Sequence, residues 1–314
     1  MSEEAPATPA GAGQTRRGDR ASKPQPVAEP GLWLVATPIG NLEDISRRAL
    51  AVLASVDSVA CEDTRRTGRL LARHGISARL VSYHEHNAAR VRPALIRTLA
   101  GGGSVALVSD AGTPLISDPG FKLVREAHDA GVRVTGCPGP SAPLFALILS
   151  GLPTDRFYFG GFLPSKAGAR REALVSLRFL DATLVFFESP RRLAASLDDM
   201  ATTLGSRPAA VARELTKLHE ELRRGTLDQL AGHYASAGAP KGEVVVVVGG
   251  ERSAAVESAL SDADIDARLD SLLADGTVRD AAATLSAETG LPRRELYARA
   301  LARAKEREEC AVDP

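Results

Sequence analysis

The first half of the chain alternates between short apolar runs and longer stretches with helical spacing. Five of the apolar runs are rich in valine, leucine and alanine and predict buried strands. These strands are predicted at residues 32–36, 58–61, 80–83, 105–109 and 132–136. Residues 64–74 and 88–99, which lie between strands, have apolar positions at helical intervals. This alternation predicts an α/β domain over residues 31–150, with a mostly parallel sheet and helices on both of its faces.

The second half of the chain repeats this alternation after a break near residues 150–154. Further strands are predicted at residues 157–160, 183–187, 209–213 and 243–248, again with helices between them. The last of them contains an unbroken valine run, residues 244–248, which is typical of a strand buried on both faces. We therefore predict a second α/β domain over residues 151–252.

The composition changes after Gly250 to Ala, Asp, Glu, Arg and Leu. Short helices are predicted at residues 266–274, 278–289 and 292–305, which together form a small C-terminal helical domain over residues 258–308. Gly290 stands where a helix-turn-helix unit would turn. The last helix carries basic side chains that could contact RNA phosphates, namely Arg293, Arg294, Arg299, Arg303 and Lys305. A docking element for nucleic acid and a plain packing bundle both fit this pattern.

The loop at residues 109–120 is the strongest candidate for a ligand-binding segment. It follows a predicted strand and precedes a predicted helix at residues 121–127, with Asp118 expected as the N-cap and Pro119 as the first helical residue. In α/β proteins ligands bind at the carboxyl ends of such strands. The loop contains neither a GxGxxG motif nor a Walker lysine, so the standard phosphate-binding loops are excluded. A tight turn without a ligand is the alternative.

Two other predicted strands end in similar loops of glycine, proline and small polar residues. Residues 37–46 follow the first strand, and Ser46 is expected to cap the next helix. Residues 138–143 follow the strand at 132–136. The prolines fix φ and limit loop motion, while Gly40 and Gly112 allow close approach or backbone geometry that a Cβ would block. Three such loops predict one shared cleft rim.

Composition and charge are those of an ordinary globular protein. Apolar residues make up 44% of the chain and charged residues 25%, which are typical proportions. The 39 basic and 39 acidic residues give a net charge of zero. Any affinity for nucleic acid must therefore come from local basic patches. The three cysteines lie far apart, which favours reduced thiols over a disulfide framework or a zinc site.

The N-terminal segment and the lengths of the apolar runs indicate where in the cell the protein is expected. We find no run of ~18 apolar residues, so we expect no membrane span. Residues 1–30 are rich in Ala, Pro, Gly, Arg and Glu and lack the apolar core of a signal peptide. We therefore expect a disordered tail on a cytoplasmic protein.

Six motifs, in this order, resemble those of the ribosomal RNA small-subunit methyltransferase I family, the cytidine 2′-O-methyltransferases of the tetrapyrrole methylase superfamily. They are TPIGNL at 37–42, CEDTR at 61–65, YHEHN at 83–87, DAGTPLISDPG at 110–120, FFESPRR at 186–192 and ARELTK at 212–217. The resemblance extends from about Gly31 to Gly250 and on into the C-terminal helices. It implies two α/β domains with a cleft between them and a small helix-turn-helix-like domain.

This resemblance also implies the ligands. The methyl donor would be S-adenosylmethionine and the acceptor the ribose of a cytidine in small-subunit ribosomal RNA, within the assembled subunit. The superfamily favours homodimers. The donor would contact the three loops and parts of the second domain, at Pro38, Gly40, Asp110, Ala111, Gly112, Thr113, Pro114, Asp118, Ser141, Ala142, Phe187, Ala212, Arg213, Glu214 and Gly242.

One departure from the superfamily concerns the acceptor. Most members carry a GxGxGD stretch, associated with tetrapyrrole substrates, where this chain has residues 37–44, TPIGNLED. This argues against a porphyrinoid acceptor. A methyltransferase for a tetrapyrrole or another small acceptor, and a non-catalytic RNA-binding ribosome factor, remain the alternatives. Aromatic residues are only 4% of the chain and not clustered, which disfavours an RNA-stacking surface.

The chemistry would consist mainly of positioning, since the methyl group of a sulfonium donor is already activated. A ribose hydroxyl is a weak nucleophile, so a carboxylate or histidine could accept its proton. The candidate catalytic residues are Glu62, Asp63, Arg65 and His86. His84 and His86 would share one face if their strand continued that far. For these histidines, ordinary hydrogen bonding at a strand end is the alternative.

The remaining motif residues suggest phosphate contacts but no metal site. His84-Glu85-His86 lacks the spacing of an HExxH zinc helix, so no metal is expected. Arginines that could bind RNA phosphates, or form surface salt bridges instead, are Arg65, Arg66, Arg191, Arg192 and Arg213. Because Arg65 and Arg213 lie inside the shared motifs, we favour a phosphate-binding role for these two.

Overall fold

The computed structural model describes residues 28–250, 262–289 and 291–310. The predicted disordered tail lies outside the described residues except for its last three positions. Gly290, the predicted turn of the helix-turn-helix unit, and the stretch 251–261 also lie outside them. The boundaries proposed for the three domains stay predictions.

Five parallel strands form the first sheet, in the order β3-β2-β4-β1-β5. Their bounds are β1 (Gly31–Val35), β2 (Ser58–Cys61), β3 (Leu80–Ser82), β4 (Ser104–Val108) and β5 (Val134–Cys137). The central strand β4 is buried along its whole length. The five strands and their parallel arrangement confirm the prediction from the apolar runs, with ends shifted by one or two residues.

Helices cover both faces of this sheet, as predicted. They are α1 (Arg47–Ser55), α2 (Thr64–Arg73), α3 (Ala88–Ala100) and α4 (Phe121–Asp129). Residues of one strand point alternately to the two faces. Ala106 therefore packs in the cluster with α1 and α2, while Leu107 packs in the cluster with α3 and α4. The predicted cap of α1 is confirmed, since Ser46 Oγ accepts a hydrogen bond from the Ala49 N–H at 3.0 Å.

The predicted cap of α4 is wrong. The N-cap is Gly120, whose φ of 144° is a conformation that residues with a Cβ rarely adopt. The chain therefore stays in a turn through Asp118 and Pro119 and enters the helix only at Phe121. Asp118 is freed from the helix by this turn and lies in the wall of a cavity.

The second sheet is mixed rather than mostly parallel, in the order β6-β7-β10-β8-β9. Its strands are β6 (Phe157–Phe162), β7 (Thr183–Glu188), β8 (Pro208–Arg213), β9 (Glu221–Thr226) and β10 (Val244–Val248). Only β6 and β7 pair in parallel, and the other three pairs are antiparallel. β10 is buried throughout, as its valine run predicts.

Strand β9 was not predicted from the sequence, because it is a polar strand at the edge of the sheet. Its sequence, ELRRGT, has almost no apolar signal, and charged side chains are typical of edge strands. No helix separates it from β8, whereas a helix lies between each pair of the four strands predicted in this half, as expected.

Helices α6 (Ala167–Val175), α7 (Leu193–Leu204) and α8 (Leu227–Ala237) cover one face of the second sheet, and α5 (Ala142–Ser150) covers the other. Ala146 and Leu147 of α5 pack with Val245 and Val247 of β10. Thus α5 follows the last strand of the first sheet in the chain but packs against the second sheet. This helix couples the two halves of the molecule.

The C-terminal helices are α9 (Asp262–Asp275), α10 (Val278–Thr289) and α11 (Arg293–Cys310), packed around Leu269, Leu285 and Leu296. Arg299 pairs with Asp266 at 2.6 Å and Arg303 pairs with Asp270, so these two basic residues hold the bundle together. Arg293, Arg294 and Lys305 are exposed.

Two further findings concern the cysteines and the membrane. Cys61 and Cys137 are buried free thiols. In the part of the chain that the structure describes, no helix is both long enough and apolar enough to cross a membrane.

Asp199 on α7 makes a buried ion pair whose loss should destabilise the second half of the protein. It accepts hydrogen bonds from Arg170 Nε at 2.7 Å and from Arg171 Nε at 2.6 Å, and the Arg170 side chain is only 5% exposed. Asp199→Ala should lower the free energy of unfolding by about 3–5 kcal/mol, because a buried guanidinium loses its carboxylate.

Urea denaturation measures this change in the free energy of unfolding. The control is the neighbouring Asp198, which is exposed. Asp198→Ala should change the free energy of unfolding by no more than about 0.5 kcal/mol, as is usual for surface substitutions. Equal effects of the two substitutions would contradict the assignment.

Candidate functional site

A cavity of about 410 Å³, which we call the first cavity, lies between the two sheets. Loops that follow strands of the first sheet line one side, and the ends of β6 and β7, the loop after β8 and the start of β10 line the other. More than half of the predicted donor-binding residues line it, namely Ala111, Gly112, Thr113, Asp118, Ser141, Ala142, Phe187 and Gly242. The fold thus brings together residues that are widely separated in the chain.

The three loops of the first half are tied to one another by hydrogen bonds. Thr37 N donates to the Gly112 carbonyl at 2.9 Å, and Gly112 N donates to the Thr37 carbonyl at 3.0 Å. Thr113 Oγ1 donates to the Pro140 carbonyl at 3.1 Å. The loops therefore form one rim, as the sequence predicts.

The loop at 109–120 has a conformation that sequence reasoning did not foresee. Leu115 has a φ of 72° and Ser117 a φ of 65°. Both lie in the left-handed region that residues with a Cβ seldom occupy. Gly112 has a φ of 82° and occupies the same region without a steric cost. Such strain persists where the surrounding structure enforces it and is common at functional sites.

The loop after β8 is held by Glu214. Its Oε1 accepts from Lys217 Nζ at 2.7 Å and from the Glu243 N–H at 3.0 Å, and the hydrogen bond from Lys217 is the main cause that lowers the pKa of this carboxyl. A Cβ on Gly242 would collide with the Glu214 side chain, and its φ of 98° also favours glycine. Glu214 thus shapes the cavity edge without lining the cavity.

Gly40 joins the two halves of the molecule. A Cβ at this position would lie 2.5 Å from Lys217 Cγ, so the glycine permits a close contact, as predicted. Next to it, Asn41 N donates to Thr216 Oγ1 at 3.0 Å. Gly40 itself lies outside the wall of the first cavity.

Three other predicted donor-binding residues also lie away from the cavity wall. Ala212 is buried within β8, and Pro114 is buried in its loop. Arg213 donates to Glu221 Oε2 from Nε at 3.1 Å and from Nη2 at 2.9 Å, and to the Lys241 carbonyl at 3.1 Å. The guanidinium of Arg213 is therefore engaged between β8, β9 and the loop before β10.

The first cavity is acidic and partly aromatic. Among the described residues that line it there are three carboxylates, on Asp118, Glu188 and Glu243, and no Lys, Arg or His. The rings of Phe162 and Phe187 form an aromatic part of the cavity wall, with their centroids 5.3 Å apart.

Sequence reasoning missed Glu188, Glu243 and Phe162 as wall residues. Glu188 could have been predicted from the sequence, because it lies inside the FFESPRR motif at residues 186–192. Its buried carboxylate accepts hydrogen bonds from Ser189 N at 2.6 Å and Ser196 Oγ at 2.5 Å and pairs with Arg192.

Asp118 has the most perturbed environment of these carboxylates. Burial raises the pKa of its carboxyl to about 6, and the negative charges of Glu62 and Asp110 act in the same direction, against a hydrogen bond from Ser109. Both effects disfavour the charged form of a carboxyl group. The group therefore titrates close to neutral pH, as catalytic acids and bases often do.

A second cavity, of about 380 Å³, adjoins the first. Its walls contain two basic residues, one carboxylate and several apolar or hydroxyl side chains: Thr37, Pro38, Leu42, Arg66, Thr67, Arg69, Leu70, Ser109 and Asp110. Ser109 and Asp110 line the second cavity, whereas Ala111 and Gly112, which follow in the chain, line the first. One turn of backbone thus forms a wall between the two cavities.

Two of the predicted donor contacts, Pro38 and Asp110, belong to this second cavity. Asp110 Oδ1 accepts from the Asp63 N–H at 3.0 Å, and Oδ2 lies 3.4 Å from Arg66 Nη1. Asp63 caps α2 through the Arg65 N–H at 2.8 Å, and this bond is the main cause that lowers the pKa of the Asp63 carboxyl. The Arg65 side chain is 88% exposed.

The histidines do not lie on a common strand face. β3 ends at Ser82, so the strand does not extend as far as His84 and the condition for a shared strand face is not met. The two rings lie 6.0 Å apart, His84 Nδ1 is buried without a hydrogen-bond partner among the described residues, and His86 is exposed. Glu62, Arg65 and His86 lie outside the walls of both cavities, and the described residues contain no cluster of metal ligands.

Comparison with known proteins identifies the class. The family profile described as Tetrapyrrole (Corrin/Porphyrin) Methylases matches residues 31–231, and the profile described as RsmI C-terminal HTH domain matches residues 259–304. A solved cobalt precorrin-4 methyltransferase has the same fold, with a TM-score of 0.53, 17% identity, and coverage of 69% of this chain and 94% of that chain. The predicted fold class, two such α/β units with a C-terminal helical domain, is confirmed.

Curated relatives narrow the class to a family. The ribosomal RNA small subunit methyltransferase I of Mesorhizobium japonicum is 57% identical over 274 residues, which cover 87% of this chain and 92% of the relative. That of Xylella fastidiosa is 49% identical, over 86% of this chain and 99% of the relative. The chain belongs to the ribosomal RNA small subunit methyltransferase I family, and methylases of this family use S-adenosylmethionine as methyl donor.

Gly112 offers a test of the first cavity as the donor site. A side chain at this position would start 3.3 Å from Ile39 Cγ2 in the cavity wall. Gly112→Val should therefore lower the affinity for S-adenosylmethionine by about tenfold or more, which isothermal titration calorimetry measures.

Gly102→Val is the matched control for this substitution. Gly102 has nearly the same φ, 83°, but nothing within 4 Å of its Cβ position. Both variants should lose stability through the strained φ, and only Gly112→Val should lose donor affinity. Unchanged affinity in Gly112→Val would contradict the assignment.

Proposed function

We propose that this protein transfers the methyl group of S-adenosylmethionine to the 2′-hydroxyl of a cytidine ribose in small-subunit ribosomal RNA. The observation that carries this proposal is a pair of adjoining cavities, of which one has carboxylates and no basic side chain among its described lining residues and the other is bordered by two arginines. An acidic cavity suits a donor with a cationic sulfonium, and a cavity bordered by arginines suits an anionic RNA. Membership of the family supports the same reaction.

The residues of the first cavity fit the donor. Its volume is about 410 Å³, and small-molecule sites usually have volumes of roughly 300–1,000 Å³. A sulfonium is attracted to carboxylates and to the faces of aromatic rings such as Phe187. We propose that the wall residues Ala111, Gly112, Thr113, Asp118, Ser141, Ala142, Phe187 and Gly242 contact the donor. Pro114, Gly40, Ala212, Arg213 and Glu214 would support those walls.

For this reaction the protein mainly has to position the donor and the acceptor and to accept one proton. The bound donor supplies an activated methyl group. We propose that the Asp118 carboxylate, whose pKa the nearby negative charge of Glu62 helps to raise, accepts the proton of the 2′-hydroxyl. The support is that Asp118 lines the first cavity and that Ser109, which lines the second, is close enough to influence the pKa of the Asp118 carboxyl. Catalytic roles for Asp63, Arg65 and His86 stay predictions, and the exposed Arg65 is better suited to a phosphate contact.

For the wider context, we propose that the acceptor is RNA within the assembled small subunit, in the cytoplasm. The exposed basic residues Arg293, Arg294 and Lys305 of α11 support a second docking contact. We also propose a homodimer, which is supported by the exposed apolar side chains of Leu144 and Ile148 on α5.

Methyl transfer to defined acceptors tests the proposed function. The protein and tritium-labelled S-adenosylmethionine are incubated with three acceptors in parallel: unmethylated small subunits, naked small-subunit RNA and a porphyrinoid. We expect label in the RNA of the subunits and, after nuclease digestion, in 2′-O-methylcytidine. Label in the porphyrinoid would support a small-molecule methyltransferase. Donor binding by calorimetry without label in any RNA would contradict the proposal.

The raised pKa of Asp118 predicts the pH dependence of the reaction. A proton acceptor must be ionised, so the single-turnover rate should fall as the pH drops through about 6, where Asp118 becomes protonated. Asp118→Asn should reduce the rate by about 10²–10⁴-fold and abolish this inflection while the donor still binds. Asp129→Asn, an exposed control on α4, should retain the normal profile. If Asp118→Asn keeps the inflection at this pH, Asp118 is not the proton acceptor.

A further inference from the structure

The second cavity has the shape and surfaces of a base-binding pocket. Pro38, Leu42 and Leu70 give it apolar sides, against which the faces of a flat ring could pack. Thr37, Thr67 and Ser109 place hydroxyl groups in the wall, and those of Thr37 and Ser109 donate to backbone carbonyls of the loop at 109–120, so they can offer a ligand only an acceptor. Its volume of about 380 Å³ also falls in the range of roughly 300–1,000 Å³ that small-molecule sites occupy.

The charged groups of this cavity separate into two kinds. Arg66 and Arg69 lie three residues apart on α2, hence on one face of the helix, and both are exposed to solvent. Asp110 provides the one carboxylate among the described residues of the cavity wall, and its side chain is 22% exposed. Guanidinium groups at the mouth suit a phosphate, and a carboxylate deeper in the wall suits a hydrogen-bond donor.

The hydrogen bonds of Asp110 leave one of its oxygen atoms available. Oδ1 is engaged by the Asp63 N–H at 3.0 Å, which fixes the orientation of the carboxylate. Among the residues that the structure describes, Oδ2 contacts only Arg66 Nη1, at 3.4 Å, and the Arg66 side chain is 60% exposed. An ion pair this long and this exposed is weak, so Arg66 can turn to a phosphate and leave Oδ2 to a ligand.

The chemistry of the pyrimidine bases determines which ligand a carboxylate selects. Cytosine presents an exocyclic amine, a donor that Asp or Glu accepts, whereas uracil presents a carbonyl oxygen at the same position. We infer that the second cavity holds the base of the acceptor nucleotide and that Asp110 binds its exocyclic amine and thereby selects cytidine over uridine. This inference rests on the proposed function and names the residue that reads the acceptor. It replaces the donor contact that the family resemblance implied for Asp110.

The position of the wall between the cavities supports this arrangement. Asp110 and Ala111 are consecutive residues that line different cavities, and the bridge between Thr37 and Gly112 holds this stretch in place. A base beside Asp110 therefore has its ribose close to the donor cavity. Arg66 and Arg69 would then pair with the phosphates flanking that ribose.

The test compares acceptors that differ only in the target base. Small subunits are reconstituted with RNA carrying either cytidine or uridine at the position methylated by the wild-type protein, and kcat/KM is measured for both. Wild type should prefer cytidine by about 5- to 100-fold. In Asp110→Asn this preference should fall to about twofold or less, because an amide can also donate to the uracil carbonyl. The amide oxygen still accepts from the Asp63 N–H, so the local fold is preserved.

Two further measurements separate base reading from other roles of the same residues. Affinity for S-adenosylmethionine, measured by calorimetry without RNA, should stay within about twofold of wild type in Asp110→Asn. Arg66→Gln should raise KM for both acceptors equally, keep the preference for cytidine, and flatten the dependence of RNA binding on salt.

Each contrary result has a distinct meaning. If Asp110→Asn retains the wild-type preference for cytidine, Asp110 does not read the base and the inference fails. If the variant loses donor affinity, Asp110 belongs to the donor site and the inference also fails. If wild type labels no ribosomal RNA at all, the proposed function fails first, and the donor calorimetry shows whether the protein used was intact.

Discussion

A two-residue backbone bridge between Thr37 and Gly112 is the constraint on which the site depends. Its two hydrogen bonds, 2.9 and 3.0 Å long, join the loops that leave the adjacent strands β1 and β4. They hold residues 109–112 in one fixed position at the edge of the sheet, where Asp110 lines one cavity and Ala111 lines the other. A methyl transfer needs its two reactants close together and correctly oriented, and a thin, fixed wall is one way to provide that.

The distribution of charge explains how a protein of zero net charge can handle two oppositely charged ligands. Acidic groups are concentrated in the cavity between the sheets, and the exposed arginines of α2 border the neighbouring cavity. The separation is local, since the two cavities share a single stretch of loop. Burial raises the pKa of the Asp118 carboxyl in this cavity, and the negative charges of Glu62 and Asp110, which lie outside its wall, act in the same direction.

The second half of the molecule forms the rest of the cleft, although its sheet does not repeat the topology of the first sheet. Helix α5 follows the first sheet in the chain and packs on the second, which brings Ser141 and Ala142 into the wall of the cavity that Phe187 also lines. Close contacts at Gly40 and Gly242 let the loop after β8 approach both halves. The site is thus formed at an interface whose geometry no single segment of the chain encodes.

The amino-acid sequence by itself determined the strands of the first sheet, the cap at Ser46 and the valine-rich centre of the second sheet, because each depends on local periodicity or on one side chain. Its motifs also pointed to the loops that form the rim. Only the tertiary structure decided the antiparallel pairing of β9, whose polar edge sequence has no apolar signal, and the release of Asp118 from the helix cap by the turn at Gly120. It also placed Asp110 in the second cavity rather than the first and engaged Arg213 with Glu221. These outcomes depend on contacts between residues far apart in the chain, and local pattern contains no information about such contacts.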